Sequence, residues 1–121
     1  MKVLLIDDDK FFRQFYSDKL RGKGAEVELA EDGQVGLKKV AEFQPDIILL
    51  DLIMPKKDGF EFLKAKAQDN AASQIPVLVF STLGQEKDVE QAKRLGATGY
   101  INKNFYDFDK LFTTILEASG K

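Results

Sequence analysis

Three short stretches of this chain are apolar throughout, and each is halted by an oxygen-bearing side chain. Val3-Leu4-Leu5-Ile6 stops at Asp7-Asp8-Asp9, Ile47-Ile48-Leu49-Leu50 at Asp51, and Ile75-Pro76-Val77-Leu78-Val79-Phe80 at Ser81-Thr82. A strand with one wet face alternates apolar and polar residues, so runs like these read as strands buried on both faces. Such strands need helices on both sides of their sheet, and the intervening sequence supplies them. Phe11, Phe12, Phe15, Tyr16 and Leu20 recur at helical spacing, with Gly22 and Gly24 ending that helix. Val27-Glu28-Leu29-Ala30 reads as a short second strand. Asp32-Gly33 then turns into a helix around Val35, Leu37, Val40 and Phe43, closed by Pro45. Phe60, Phe62, Leu63 and Ala67 mark a third helix, and Val89, Ala92 and Leu95 a charged fourth one capped by Gly96. Tyr100 and Ile101 form a fifth strand, and Phe108, Leu111, Phe112 and Ile115 fall at the i, i+3, i+4, i+7 positions of a final helix.

Five strands alternating with five helices predict an α/β fold, a doubly wound five-stranded parallel sheet. The order 2-1-3-4-5 is taken by analogy with flavodoxin-like sheets, which bind ligands beyond the carboxyl ends of their strands. Residues 1–121 read as one domain, without repeats or linkers. Lys and Arg number 18 against 20 Asp and Glu, so the chain carries no electrostatic footprint for nucleic acid. The apolar start is too short for a signal peptide or a membrane span, and the expected location is cytoplasmic.

The absence of both Cys and His removes thiolate sites, the commonest general base and the commonest transition-metal ligand. Chemistry here must run on carboxylates, hydroxyls and amines. In a doubly wound sheet the strand ends share one edge, so Asp7, Asp8 and Asp51 converge there, with Ser81 and Lys103 beside them. Two carboxylates ~5 Å apart at an effective dielectric of about 20 repel by roughly 3 kcal/mol. Three together need raised pKa values or a cation, and oxygen-only donors select a hard ion, Mg²⁺ or Mn²⁺. Each residue alone has a plainer reading. Asp9 reads as a helix N-cap, Asp51 as a turn residue, Ser81 as a surface hydroxyl and Lys103 as a solvated lysine. Their joint placement at strand ends carries the hypothesis.

Taken in order, Ile6-Asp7-Asp8-Asp9 with Arg13, the segment Asp51 to Gly59 (D-x-x-M-P-x-x-D-G), Pro76 through Ser81, Gly96-Ala97-Thr98-Gly99-Tyr100 and Lys103 resemble the response-regulator receiver family over essentially the whole chain. The resemblance implies a phosphoacceptor switch rather than an enzyme with turnover. Asp51 would take a phosphoryl group from a phosphohistidine on a histidine kinase or phosphotransfer protein. Asp7, Asp8, Asp51 and the backbone carbonyl of Ile53 would hold Mg²⁺, or Mn²⁺ in its place. Lys103 would pair with the phosphoryl oxygens, Ser81 would donate its hydroxyl to them, and Tyr100 would change rotamer and reshape the surface of helix 4, strand 5 and helix 5. The output partner is left open, as is whether the receiver stands alone or was cut from a longer protein.

Two departures from the family pattern carry expectations. The family usually has Lys-Pro where this chain has Lys103-Asn104. A cis bond is expected there despite its cost of ~2.5–4 kcal/mol at a residue other than proline. The positions that help place the hydrolytic water hold Ile53 and Leu83, both apolar, which implies slow autodephosphorylation. Two other readings stay open at this point. Asp7-Asp8-Asp9 also satisfies the D-x-D pattern of haloacid-dehalogenase-like phosphatases, and a pseudo-receiver would keep the fold without being phosphorylated. No Walker-type glycine loop supports an NTPase. Lys56 and Lys57 read as a solvated loop, with contact to a kinase as the alternative.

Overall fold

A computed structural model describes residues 1–54, 58–70, 72–82, 86–103 and 107–120. The strands are β1 (Lys2–Ile6), β2 (Glu26–Ala30), β3 (Ile47–Leu50), β4 (Val77–Ser81) and β5 (Gly99–Asn102). The helices are α1 (Lys10–Gly22), α2 (Gly33–Phe43), α3 (Gly59–Ala67), α4 (Glu86–Arg94) and α5 (Phe108–Ser119), with a short 3-10 turn at Ala72–Gln74. All strand pairs are parallel, as the apolar runs predict, and the order is β2-β1-β3-β4-β5, as the analogy with flavodoxin-like sheets predicts.

Alternate strand residues feed two cores. Leu4, Ile6, Ile48, Leu50, Val77 and Val79 pack with Val40, Phe62, Leu63 and Ala92 of α2, α3 and α4. Val3, Leu5, Ile47, Leu49, Leu78 and Phe80 pack with Leu20, Leu111 and Ile115 of α1 and α5. The period of two within runs apolar at every position is therefore satisfied on both faces. Among the described residues no helix is long and apolar enough to cross a membrane.

Among the described residues, four helices start on an aspartate. Asp9, Asp32, Asp58 and Asp107 accept the backbone N–H of Phe12, Val35, Glu61 and Lys110, a cap contributing about 1 kcal/mol each. Helix α2 ends with Gln44 in the left-handed region at φ 51°, one residue before Pro45. The fourth strand corrects the sequence reading, because Ile75 and Pro76 lie outside it. Ile75 N–H bonds back to the Ala72 carbonyl, and Pro76, with no N–H, gives only its carbonyl to Ile48 N–H at 3.0 Å.

Candidate functional site

The sheet register delivers the acidic residues to one place. Ile6 pairs with Leu50, and Asp51 N–H donates to the Ile6 carbonyl at 2.9 Å, so Asp7 and Asp51 leave the sheet side by side. Asp7 is 1% exposed and Asp51 6%, while Asp8 is exposed. One carboxylate oxygen from each of Asp7, Asp8 and Asp51 lies within 4.8 Å of the others. Asp9 is turned away from this group, its Oδ1 accepting Phe12 N–H at 3.0 Å. The helix-cap reading of Asp9 therefore holds, and the D-x-D phosphatase reading loses its second carboxylate.

Lys103 follows the last residue of β5. Its N–H donates to the Ser81 carbonyl at 3.1 Å, and its side chain reaches across the ends of β4 and β3. There Nζ donates to Asp7 Oδ2 at 2.5 Å and to Asp51 Oδ2 at 3.4 Å. The lysine side chain is only 10% exposed. Asp7 is fixed further by Asp9 N–H on its Oδ1 at 2.9 Å, and the Arg13 guanidinium donates to its backbone carbonyl at 2.6 Å. Ile53 N–H approaches Asp51 Oδ1 at 3.3 Å, and the Ile53 side chain is half-exposed beside it. Ser81 is fully buried, with its side chain within electrostatic reach of the Tyr100 hydroxyl, and the Tyr100 ring packs on the core between α2, α3 and α4. Burial, helped by the charges of Asp88 and Asp51, pushes the Tyr100 hydroxyl above its ordinary pKa.

Burial raises the Asp7 carboxyl above its ordinary pKa of 3.8, the negative charge of Asp51 adds to the effect, and the bonds from Lys103 and Asp9 N–H oppose it. The ionised form of Asp7 is thus less favourable in the folded chain than in the unfolded one. Its contribution to stability is fullest below 3.8 and declines as pH rises through the raised value. Three carboxylates facing one ammonium leave excess negative charge, and a hard divalent cation on oxygen donors fits that set. Thermal melts in chelator, at one pH below 3.8 and one well above it, should therefore show wild type losing ground to Asp7→Asn as pH rises. Mg²⁺ should raise the melting temperature of wild type and leave that of Asp7→Asn unmoved. A constant gap between the two proteins at both pH values would contradict this.

The residues singled out from sequence are brought together as a set: Asp7, Asp8, Asp51 and Lys103 share one cluster, Ile53 borders it, and Ser81 joins Tyr100. The Lys103–Asn104 peptide, Leu83, Lys56 and Lys57 lie outside the described residues. Sequence reasoning missed Phe12, whose ring centroid lies 3.9 Å from Lys103 Nζ, and it had no role for Arg13 beyond its place in a motif. Helical spacing placed Phe12 only on the apolar side of α1. An N-cap at Asp9 was the available signal, since it sets the first helical turn directly against the acidic run.

Residues 3–116 match the family model described as the response regulator receiver domain. The DNA-binding dual master transcriptional regulator RpaA of Synechocystis is 38% identical over 104 residues, 86% of this chain and 43% of that protein. The chain thus spans less than half the length of that relative. The chemotaxis protein CheY4 of Vibrio cholerae superposes with a TM-score of 0.90 at 34% identity, covering 97% of each chain. The Mn(2+)-bound form of response regulator Rcp1 superposes with a TM-score of 0.78 at 29% identity, covering 96% of this chain and 89% of that one.

Proposed function

This chain belongs to the response regulator receiver family, and from that premise we propose that it is the phosphoacceptor switch of a two-component phosphorelay. Asp51 takes a phosphoryl group from a histidine kinase or phosphotransfer protein in the cytoplasm, in a Mg²⁺-dependent reaction, and residues 1–121 act as one receiver unit. The observation that supports this most is the pairing of two buried carboxylates, Asp7 and Asp51, with one ammonium, that of Lys103, whose side chain is 10% exposed. Buried charge of that density is costly unless an incoming group uses it.

Mg²⁺, or Mn²⁺ on the same oxygen donors, would be held by Asp7, Asp8, Asp51 and the Ile53 carbonyl and would supply positive charge to the phosphoryl oxygens. The chain's own residues do the rest. An oxygen of Asp51 attacks phosphorus in line, the donor's P–N bond breaks, and the electron pair stays on the imidazole nitrogen. Positioning and charge neutralisation are the main demands of such a transfer. Lys103 exchanges its carboxylate partners for a phosphoryl oxygen, and Ser81 donates its hydroxyl to another. A hydroxyl has one donor and two acceptor sites, so Ser81 can accept from Tyr100 while it donates to phosphate. The new group adds about −1.5 to −2 charge. Its pull on Ser81 is relayed through Tyr100 to the face formed by α4, β5 and α5. Moving such a switch from mostly off to mostly on takes about 5.5 kcal/mol, within reach of several charge-assisted hydrogen bonds.

Incubation with a phosphorylated histidine kinase and Mg²⁺ should label the chain with a hydroxylamine-labile acyl phosphate, and EDTA should prevent it. A label that resists hydroxylamine would place the phosphate on a hydroxyl and defeat the assignment. The lifetime of the phosphate gives a second check. Half-exposed Ile53 beside Asp51 cannot hydrogen-bond a hydrolytic water, so wild type should lose phosphate slowly. Ile53→Asn should speed that loss by up to about tenfold, the equivalent of one added hydrogen bond. An unchanged half-life would remove Ile53 from this role.

A further inference from the structure

We propose that Phe12 is a positioning residue for Lys103, holding its ammonium over the ring face so that an incoming phosphoryl group meets a cation already placed and stripped of water. The inference rests on the phosphoacceptor reading and assigns a part of that site which the receiver motifs quoted above do not contain.

The ring centroid of Phe12 lies 3.9 Å from Lys103 Nζ, whereas the other ring–ammonium pairs among the described residues are at 5.1 Å or more. The ring is itself held in place. Tyr16 lies 4.4 Å from it and buried Phe80 5.2 Å, and Asp9 fixes the Phe12 backbone by capping α1. A half-buried phenylalanine in such a cluster would ordinarily be read as core packing alone. Two features go beyond that. The Lys103 side chain is 10% exposed, so the ring stands where water would otherwise solvate the ammonium. Its ion-pair partners among the described residues, Asp7 and Asp51, are the carboxylates a divalent cation would also use.

The choice of an uncharged holder follows from that competition. A third carboxylate would bind the ammonium tightly and compete with the phosphoryl oxygens for it. An aliphatic side chain would exclude water without attracting the cation. An aromatic face attracts it through the ring quadrupole and adds no net charge, so the lysine stays at the rim when its carboxylates are shared and remains free to move to phosphate.

The test compares wild type, Phe12→Leu and Phe12→Tyr, each with Lys103 intact and with Lys103→Ala. Acetyl phosphate with Mg²⁺ serves as donor, and carbon-13-labelled lysine reports on the side chain. Phe12→Leu should slow Asp51 phosphorylation by about three- to thirtyfold, Phe12→Tyr should keep the wild-type rate, and Phe12→Leu should cause no further loss when Lys103 is already alanine. In NMR spectra without donor or metal, the Lys103 ε-methylene protons should be shifted upfield by the ring in wild type and Phe12→Tyr, and that shift should vanish in Phe12→Leu. An equal loss from Phe12→Leu in both backgrounds would mean packing and overturn the proposal, as would an ordinary lysine shift in wild type. The wild-type spectrum decides the contact even if Phe12→Leu does not fold. Wild type that takes no phosphate sinks the phosphoacceptor reading itself, whereas labelled wild type with a Phe12→Leu rate equal to it sinks only this inference.

Discussion

Lys103→Ala is expected to slow phosphorylation of Asp51 by about 10²–10³-fold, the scale on which loss of one preorganised charge-stabilising donor is felt in a buried site. The same substitution should tighten Mg²⁺ binding. In wild type the ammonium occupies Asp7 Oδ2 at 2.5 Å and stands 3.4 Å from Asp51 Oδ2, so it competes with a divalent cation for those oxygens. Removing it frees both carboxylates. A variant that binds metal better and reacts far more slowly separates the two electrostatic roles, since a site merely damaged by the mutation would lose both. Lys103→Arg should restore little of the rate. Its planar guanidinium is larger than an ammonium, and the lysine head group is confined between two carboxylates and the Phe12 ring. Stopped-flow rates with acetyl phosphate and calorimetric Mg²⁺ titrations measure the two quantities. Weaker metal binding in Lys103→Ala would contradict the competition.

Gly59→Ala is expected to cost about 1–3 kcal/mol of stability and to depress phosphorylation, although residue 59 touches no reacting atom. A Cβ built there would lie 2.6 Å from Leu52 Cα, 2.7 Å from the Asp51 carbonyl oxygen and 2.7 Å from Leu52 Cδ2. Two of those atoms are backbone and cannot swing aside, and Gly59 N–H donates to the Leu52 carbonyl at 3.1 Å. The first turn of α3 therefore bears directly on the chain that leaves β3 with Asp51. Relief of the clash must move α3 or shift Asp51 relative to Lys103. Gly36→Ala provides the contrast, because its tightest contact is the side-chain end of Ile6, at 2.6 Å from Cδ1, which can repack. Chemical denaturation of the two variants should place Gly59→Ala well below Gly36→Ala, and only Gly59→Ala should lose phosphorylation rate in proportion. Equal rates in the two variants would show that α3 does not set the position of Asp51.

That glycine illustrates what the sequence could and could not disclose. It was legible as the last letter of a motif running from Asp51, but the reason for it was not, since the reason is the close approach of its backbone to that of Asp51 and Leu52. The strand Ile47–Leu50 was readable to the residue because an unbroken apolar run bounded by Pro45-Asp46 and Asp51 has no other comfortable state. The start of β4 was misplaced because apolar character continues through Ile75 and Pro76, where the hydrogen-bonding pattern does not. The convergence of Asp7, Asp8 and Asp51 followed from topology alone, since the register aligns the strand ends. The preference of Lys103 for Asp7 over Asp51 did not, because it depends on how a long side chain lies across two strand ends. Nor does any local pattern mark Lys66, on the charged side of α3 by composition, as a lysine only 5% exposed whose pKa burial pushes down.

The most direct measurement is mass spectrometry with site mapping after treatment with acetyl phosphate and Mg²⁺, on wild type and on Asp51→Asn. The predicted result is one phosphoryl adduct on wild type, mapped to Asp51, dependent on Mg²⁺ and missing from the variant. An adduct that survives Asp51→Asn, or one mapped to Asp7 or Ser81 in wild type, would contradict the assignment of Asp51 as the phosphoacceptor.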